Sequence, residues 1–150
     1  MGIVLYGKFG GMELDIAIKK DLLNLIEVDD SLFTVKYLYD KNNILSLVQV
    51  VDTLGKIYKC LFYEDGKRLS NMSVYNTKTG KEIKNVTYKS DGKTISSVRE
   101  YDTETEKLSC VTFYKPDGIS PSTIIEYDEY GYECQFTLFA DDGEVITQSF

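Results

Sequence analysis

The chain has 150 residues and a formal net charge of −7 at pH 7, with 43% hydrophobic residues and no histidine. This length suits one domain with a core of its own. No apolar stretch approaches the roughly 20 residues that a membrane-spanning helix needs, and the lack of histidine removes the commonest general base and zinc ligand. We therefore expect one cytoplasmic domain with no cofactor and no bound metal; secretion after removal of a leader stays an open alternative.

Residues 1–38 are irregular in pattern. The segment MELDIAIK alternates apolar and polar residues and predicts a strand, whereas residues 20–28 are equally compatible with a helix and a strand. SLFTVKYLY again predicts a strand, with Phe33, Val35, Tyr37 and Tyr39 on one face. Because repeat arrays need terminal units that cover the end strand, we interpret residues 1–38 as an N-terminal capping segment of the same domain.

A repeat of twelve or thirteen residues begins at residue 39 and continues to the C-terminus, so residues 39–150 form one array. It is marked by an aromatic residue in most units, at Tyr39, Tyr63, Tyr75, Tyr88, Tyr101, Tyr114, Tyr127 and Phe139. Between the turns lie segments of seven or eight residues with strand composition, such as KLSCVTFY. Each unit therefore predicts one strand and one turn, and the regular spacing predicts a ladder of tyrosines across neighbouring strands.

The turns between units are of two kinds. One kind contains Asp-Gly, as in YEDGK and YKSDGK, and supplies the positive φ that a tight hairpin needs. The other kind is longer, as in YNTKTGK and YDTETEK. Glu106 stands where the second kind has glycine, which predicts a different turn type at that position.

The apolar positions predict how each strand is arranged. Counting back from the aromatic, positions minus three and minus one share one face, but a further apolar column lies at minus six. A β-bulge near the turn would restore the alternation. We therefore predict an all-β fold, mainly an antiparallel meander of about 9–11 strands with a possible short N-terminal helix, twisted or curled so that its apolar face closes over itself.

The stretch VYNTKTGKEIKNVTYKSDGKTISSVREYDTETEKLSCVTFYKPDG resembles a family of tandem Tyr-Asp repeats of unknown function found in small-genome bacteria such as phytoplasmas. In that family Y-D-x-x-T-G-K units alternate with Y-x-x-D-G-K-T-I units. The stretch is more loosely similar to MORN repeats and to the YD repeats of Rhs proteins. The resemblance covers residues 60–145 and implies a β-hairpin array that binds other molecules; it transfers no catalytic residue.

The three cysteines, Cys60, Cys110 and Cys134, include no CxxC pair, which favours free structural thiols over disulfides. Only Cys60 has a basic neighbour that could lower the thiol pKa. Since Cys60 falls in the apolar minus-three column, the pattern predicts a buried thiol and no nucleophile.

Negative charge is concentrated at the C-terminal end. Residues 116–150 contain eight acidic residues and no basic one, whereas residues 56–93 contain nine basic and four acidic residues. A surface of one sign selects an oppositely charged partner. We therefore predict a non-catalytic protein–protein interaction module that uses an extended sheet face and an acidic end to bind a protein with a basic surface. The candidate contact residues are Asp128, Glu129, Glu133, Asp141, Asp142 and Glu144.

Other functions stay open at this point. The chain could be a small acidic inhibitor, of the anti-defence or immunity type, that mimics nucleic acid in the basic groove of an enzyme. A hydrolase is the second alternative, because such an enzyme can use paired carboxylates such as those of Asp141 and Asp142. Both residues fall at a predicted turn. Self-association between the basic and acidic zones is a further alternative, whereas binding to a membrane or directly to nucleic acid is disfavoured by the sequence pI of about 4.6.

Overall fold

The computed structural model describes residues 3–7 and 33–150. Its strands are β1 (Ile3–Gly7), β2 (Phe33–Tyr39), β3 (Leu45–Val51), β4 (Ile57–Tyr63), β5 (Leu69–Tyr75), β6 (Glu82–Tyr88), β7 (Ile95–Tyr101), β8 (Leu108–Tyr114), β9 (Pro121–Tyr127), β10 (Glu133–Phe139) and β11 (Val145–Ser149). All eleven belong to one sheet in chain order. β2 to β11 form an antiparallel meander, and β1 pairs with β2 in parallel. The predicted fold class is therefore confirmed.

The sheet is open. Within residues 3–7 and 33–150, β1 and β11 each pair with a single neighbour, so the expected closure over an apolar face is wrong. A seven-residue strand with one bulge per hairpin twists the sheet but does not bring its two ends together. The strand predicted at MELDIAIK and the helix or strand at residues 20–28 lie outside the described residues. The division into a capping segment and an array stays a prediction.

Every antiparallel pair from β2–β3 to β9–β10 contains a register shift close to its turn, as predicted from the repeat. The extra residue lies five positions before the aromatic, and it is often serine. The hydroxyls of Ser46, Ser70 and Ser109 donate to the carbonyls of Leu38, Phe62 and Glu100 at 3.0–3.3 Å. These bonds lie next to the interrupted ladder, so a small polar residue suits the bulge.

The turns are capped by their own Asp or Asn side chains. Asp102 Oδ1 accepts the N–H groups of Glu104 and Thr105 at 2.7–2.8 Å, and Asn76 does the same for Lys78 and Thr79 at 2.9–3.4 Å. The N–H of Glu106 donates to the carbonyl of Asp102 as Gly80 does to Asn76, and Glu106 has a φ of 62°. The prediction of a different turn type at Glu106 is therefore wrong: a glutamate adopts the left-handed conformation that glycine adopts in the preceding turn of this kind.

The tyrosines do not form one ladder. Tyr88 ends an even-numbered strand and Tyr101 an odd-numbered one, so the two lie at opposite edges of the meander and, by the register, on opposite faces. Only every second aromatic shares an edge and a face, as in Tyr75, Tyr101 and Tyr127. Neighbouring strands run in opposite directions, which turns a thirteen-residue spacing in sequence into two separate rows.

The two faces differ in composition along the sheet. The core face carries Tyr37, Val48, Leu61, Met72, Val86 and Val98 opposite one another from β2 to β7. The buried core lies there, with Val48 and Leu61 at 0% exposure. The opposite face, called the groove face, carries Gln49, Cys60, Ser73, Asn85 and Arg99 over β3–β7 and changes to Val111, Ile125 and Phe136 over β8–β10.

The two edges also differ. Turns that contain Asp-Gly lie along one edge, called the Asp-Gly edge, where the first three pack on the preceding turn, and Gly143 in the last has open space beside it. A Cβ on Gly92 would lie 2.9 Å from the Cα of Arg68, and one on Gly118 would lie 2.6 Å from Cγ2 of Thr94. At the opposite edge a Cβ on Gly80 would meet nothing within 4 Å. The turn at Gly80 is therefore less closely packed than those at Gly92 and Gly118.

Candidate protein-binding surface

The six predicted contact residues fall into two groups. Asp128, Glu129 and Glu133 lie in and beside the β9–β10 turn, on the opposite edge. Asp141, Asp142 and Glu144 lie in the β10–β11 turn, on the Asp-Gly edge. The length of β10 separates the groups by roughly 20 Å, at about 3.3 Å per residue. The structure therefore does not bring the six carboxylates together.

Some of these carboxylates serve their own turns. Asp128 Oδ1 accepts the N–H groups of Tyr130 and Tyr132 at 2.9 Å, and Asp142 Oδ1 accepts that of Glu144 at 2.9 Å. The side chain of Asp141 lies 3.3 Å from Nζ of Lys115. Among the six, Glu129, Glu133 and Glu144 are exposed and are absent from these turn-capping bonds, so they are the ones best placed to meet a partner.

The turn at residues 102–107 was missed as part of the acidic surface. It lies beside the β9–β10 turn on the opposite edge, two strands or roughly 10 Å away. It contributes Asp102, Glu104 and Glu106, against the single base Lys107. The signal that could have found it is a spacing of twenty-six residues, because every second turn shares an edge. We call the acidic residues of these two turns the acidic rim: Asp102, Glu104, Glu106, Asp128, Glu129 and Glu133.

An open depression of about 340 Å³ lies on the groove face next to the acidic rim. Its floor is apolar, because Val111 and Ile125 are directly opposed in the register. Phe113 in the next column is 43% exposed. We call this depression the apolar groove; it is lined by Arg99, Tyr101, Leu108, Val111, Phe113, Ile125 and Tyr127.

A second, smaller hollow of about 130 Å³ lies between the two turns of the acidic rim. Leu108 and Tyr127 line both hollows, so the apolar groove continues into the space between the turns. The carboxylate-bearing residues Asp102, Asp128 and Glu129 line the smaller one. Burial raises the pKa of the Tyr127 phenol, and the nearby carboxylate of Glu133 raises it further. The neutral aromatic side chain of Tyr127 therefore lines both the apolar groove and the smaller, acidic hollow.

Polar side chains close the groove face on the β5–β6 side. Asn85 Nδ2 donates to Ser73 Oγ at 3.0 Å, and Asn71 Nδ2 donates to Thr87 Oγ1 at 3.2 Å. Arg99 pairs in register with Asn85 and stands between this network and the apolar floor. The apolar part of the groove face on β8–β10 is thus separated by polar side chains from the apolar pair Leu47 and Phe62 on β3–β4.

The three cysteines lie on different strands, β4, β8 and β10. Cys60 is buried as predicted, and burial raises the pKa of its thiol, although hydrogen bonds with Tyr75 and Gln49 oppose that rise. All three cysteines are free. Within residues 3–7 and 33–150, no three acidic or cysteine side chains are grouped as metal ligands. No helix in that part of the chain is long and apolar enough to cross a membrane.

These features define an open repeat meander with a grooved, partly acidic face. A family model matches the chain twice, over residues 62–113 and 92–137, which together span just over half of it. The chain belongs to this family, described as "Protein of unknown function (DUF2963)". The resemblance to a repeat family of unknown function is thereby confirmed. No curated protein sequence matches the chain.

Solved structures share the architecture at low sequence identity. The crystal structure of TarM gives a TM-score of 0.52 at 9% identity over 93% of this chain and 25% of that one. The GtfA/B complex bound to UDP and GlcNAc gives 0.50 at 12% identity over 99% and 39%. A mutant of S. aureus TarM with Fondaparinux, alpha-GlcNAc-glycerol and UDP gives 0.50 at 9% identity over 97% and 34%. The chain spans a quarter to two fifths of these proteins, and the likeness concerns the fold alone.

Proposed function

We propose that the chain is a non-catalytic protein-binding module that uses the groove face of β7–β10. The observation that supports the proposal is an exposed apolar surface on the groove face of an open sheet. Apolar side chains such as Phe113 and Leu138 are 43% and 37% exposed there, although the chain has a buried core on its other face. Contiguous exposed apolar surface beside polar residues is typical of protein contact sites.

The alternatives have less support from the geometry. A hydrolase needs converging carboxylates, but those of Asp128 and Asp142 accept hydrogen bonds from their own turns and lie on opposite edges. A nucleic-acid mimic needs an extended row of carboxylates, and the acidic residues are divided between two edges by a strand with the apolar column Phe136 and Leu138. The looser similarity to MORN and YD repeats agrees with binding, and it stays an analogy.

Capture experiments test the proposal. The tagged chain would be immobilised and exposed to extract of the cells that produce it, with an unrelated acidic protein of equal net charge as the control bait. We expect a protein that the chain retains and the control does not, and that binds the purified chain with a Kd of about 10 μM or tighter at physiological salt. Failure of every retained protein to bind the purified chain would contradict the proposal.

The same material separates the alternatives. An inhibitor that mimics nucleic acid should release its target as salt is raised, and reversal of Asp141, Asp142 and Glu144 to Lys should abolish that binding. An enzyme should turn over a substrate, and Asp128→Asn should remove the turnover. The proposed module predicts no turnover and no loss of binding when Asp141, Asp142 and Glu144 are reversed.

A further inference from the structure

The apolar groove and the acidic rim form one continuous surface. The groove reaches from Phe113 to the turns at residues 102–107 and 128–133, and Leu108 and Tyr127 belong to both hollows. Along a strand this path is about six residues, or roughly 20 Å. A short segment of another protein therefore fits along it.

The charge at the two ends of this path differs. The rim end carries six carboxylate residues and Lys107, while the turns at the other end carry three basic and five acidic residues: Lys89, Lys93, Lys115, Asp91, Asp117, Asp141, Asp142 and Glu144. A segment that lies in the groove therefore meets more negative charge at the rim end, with a net charge of −5, than at the other end, with −2. Charge complementarity therefore calls for basic side chains at the rim end of the ligand.

The two hollows differ in the side chains they suit. The larger is floored by Val111 and Ile125, which suit aliphatic or aromatic groups. The smaller has three acidic residues and one base in its wall, next to the Tyr127 ring and Leu108: Asp102, Asp128, Glu129 and Lys107. Lys and Arg place an apolar stem against apolar surface and a charged head among polar groups, which matches a hollow with both kinds of wall.

We propose that this surface docks a cationic amphipathic segment of a partner protein. Its Lys or Arg side chains lie between the turns at residues 102–107 and 128–133, and its apolar side chains cover Val111, Phe113 and Ile125. Arg99, on the β6 side, is placed to donate to carbonyls of the bound segment. The inference rests on the proposed function and adds the chemistry of the partner. The same carboxylates repel nucleic acid and anionic lipid.

Peptide selection tests this inference without a known partner. Random dodecapeptides displayed on phage would be selected on the folded chain, and one selected peptide would be synthesised for titration. Phe113→Ser removes the aromatic side chain from the groove, and the double variant Glu129→Lys with Glu133→Lys reverses charge at the rim. The matched control is Asp141→Lys with Glu144→Lys, which changes the net charge equally on the other edge. Circular dichroism checks that each variant keeps its strands.

We expect selected peptides to carry Lys or Arg beside apolar residues. The groove and rim variants should each weaken binding about tenfold or more, the control less than about threefold, and added salt should weaken binding further. Failure to enrich any peptide, enrichment of acidic or uncharged peptides, or equal losses in the rim variant and its control would overturn the proposal.

Two further results would show whether the proposed site is wrong while the proposed function holds. If a captured protein binds the purified chain but tolerates both the groove and the rim variants, the chain is a binding module and this site is wrong. If the chain alone associates in sedimentation runs, and the rim variant abolishes that association, the occupant is a second copy and the choice of a foreign partner is overturned.

Discussion

The longest apolar columns of the first and last parts of the sheet lie on opposite faces. In β3–β4 the core face buries Val48 and Leu61 completely, whereas in β8–β10 the groove face leaves Phe113 and Leu138 37–43% exposed. The same strand-and-turn unit therefore stabilises the fold at one end and presents a surface at the other. All of these strands have seven residues, so the difference lies in which residues occupy equivalent positions.

The largest expected difference comes from the same substitution on the two faces. Leu61→Ala should lower the free energy of unfolding by about 3–4 kcal/mol, because it leaves a cavity at a fully buried site. Leu138→Ala should cost about 1 kcal/mol or less, because Leu138 is 37% exposed. Urea unfolding of both variants measures the contrast, and equal losses would mean that both faces are buried core.

The two edges should differ in their tolerance of a methyl group. Gly92→Ala should cost about 2–3 kcal/mol, since the new Cβ would meet the backbone of Arg68 at 2.9 Å in addition to a φ of 70°. Gly80 has a φ of 74° but open space around it, so Gly80→Ala should lower the free energy of unfolding by about 1 kcal/mol. Thermal unfolding compares them. Equal effects would show that only φ matters and that the Asp-Gly turns do not stack closely.

Glycine at Glu106 should stabilise the protein. Glu106→Gly removes a left-handed side chain with a φ of 62° and should raise the free energy of unfolding by about 0.5–1 kcal/mol. The exposed pair with Lys81, at 4.0 Å, contributes little. Glu104→Gly is the control, because it removes the same charge from the same turn. A loss of stability in Glu106→Gly would contradict this account of the turn.

The smallest expected effect is on the stability of the fold at low pH. Hydrogen bonds from the hydroxyl and N–H of Thr94 and from the N–H of Lys93 lower the pKa of Asp91 to about 2. A lowered pKa stabilises the fold above the ordinary value near 4, and this contribution is lost as the pH falls through about 2.

Asp91→Asn keeps an acceptor oxygen without a charge, so its unfolding midpoint should vary less between pH 5 and 2 than that of the wild type. Thr94→Val removes one donor and should move the acid loss to higher pH. Parallel acid titrations followed by circular dichroism give both results. Identical profiles for all three proteins would show that this carboxylate does not contribute to acid stability.

Much of the fold could be predicted from the sequence, because turn residues and strand composition recur at a fixed spacing. The meander, its order and its bulges follow from local pattern. The tyrosine ladder could not, because the direction of each strand decides which edge an aromatic reaches. For the same reason, acidic residues that are close in sequence do not all lie on one edge. The structure places Asp141 and Asp128 on opposite edges, and Asp128 and Asp102 on the same edge. The prediction of a different turn type at Glu106 was wrong because left-handed backbone prefers glycine but does not strictly require it.

The central claim is that β7–β10 bind a partner through the groove face. Amide chemical shifts of the labelled chain, followed while a captured partner is added, test it most directly. We predict that the largest changes fall on residues 99–113 and 123–133, with little change at residues 45–63. Changes confined to the turn at residues 140–144, or to the strands of the buried core, would contradict it.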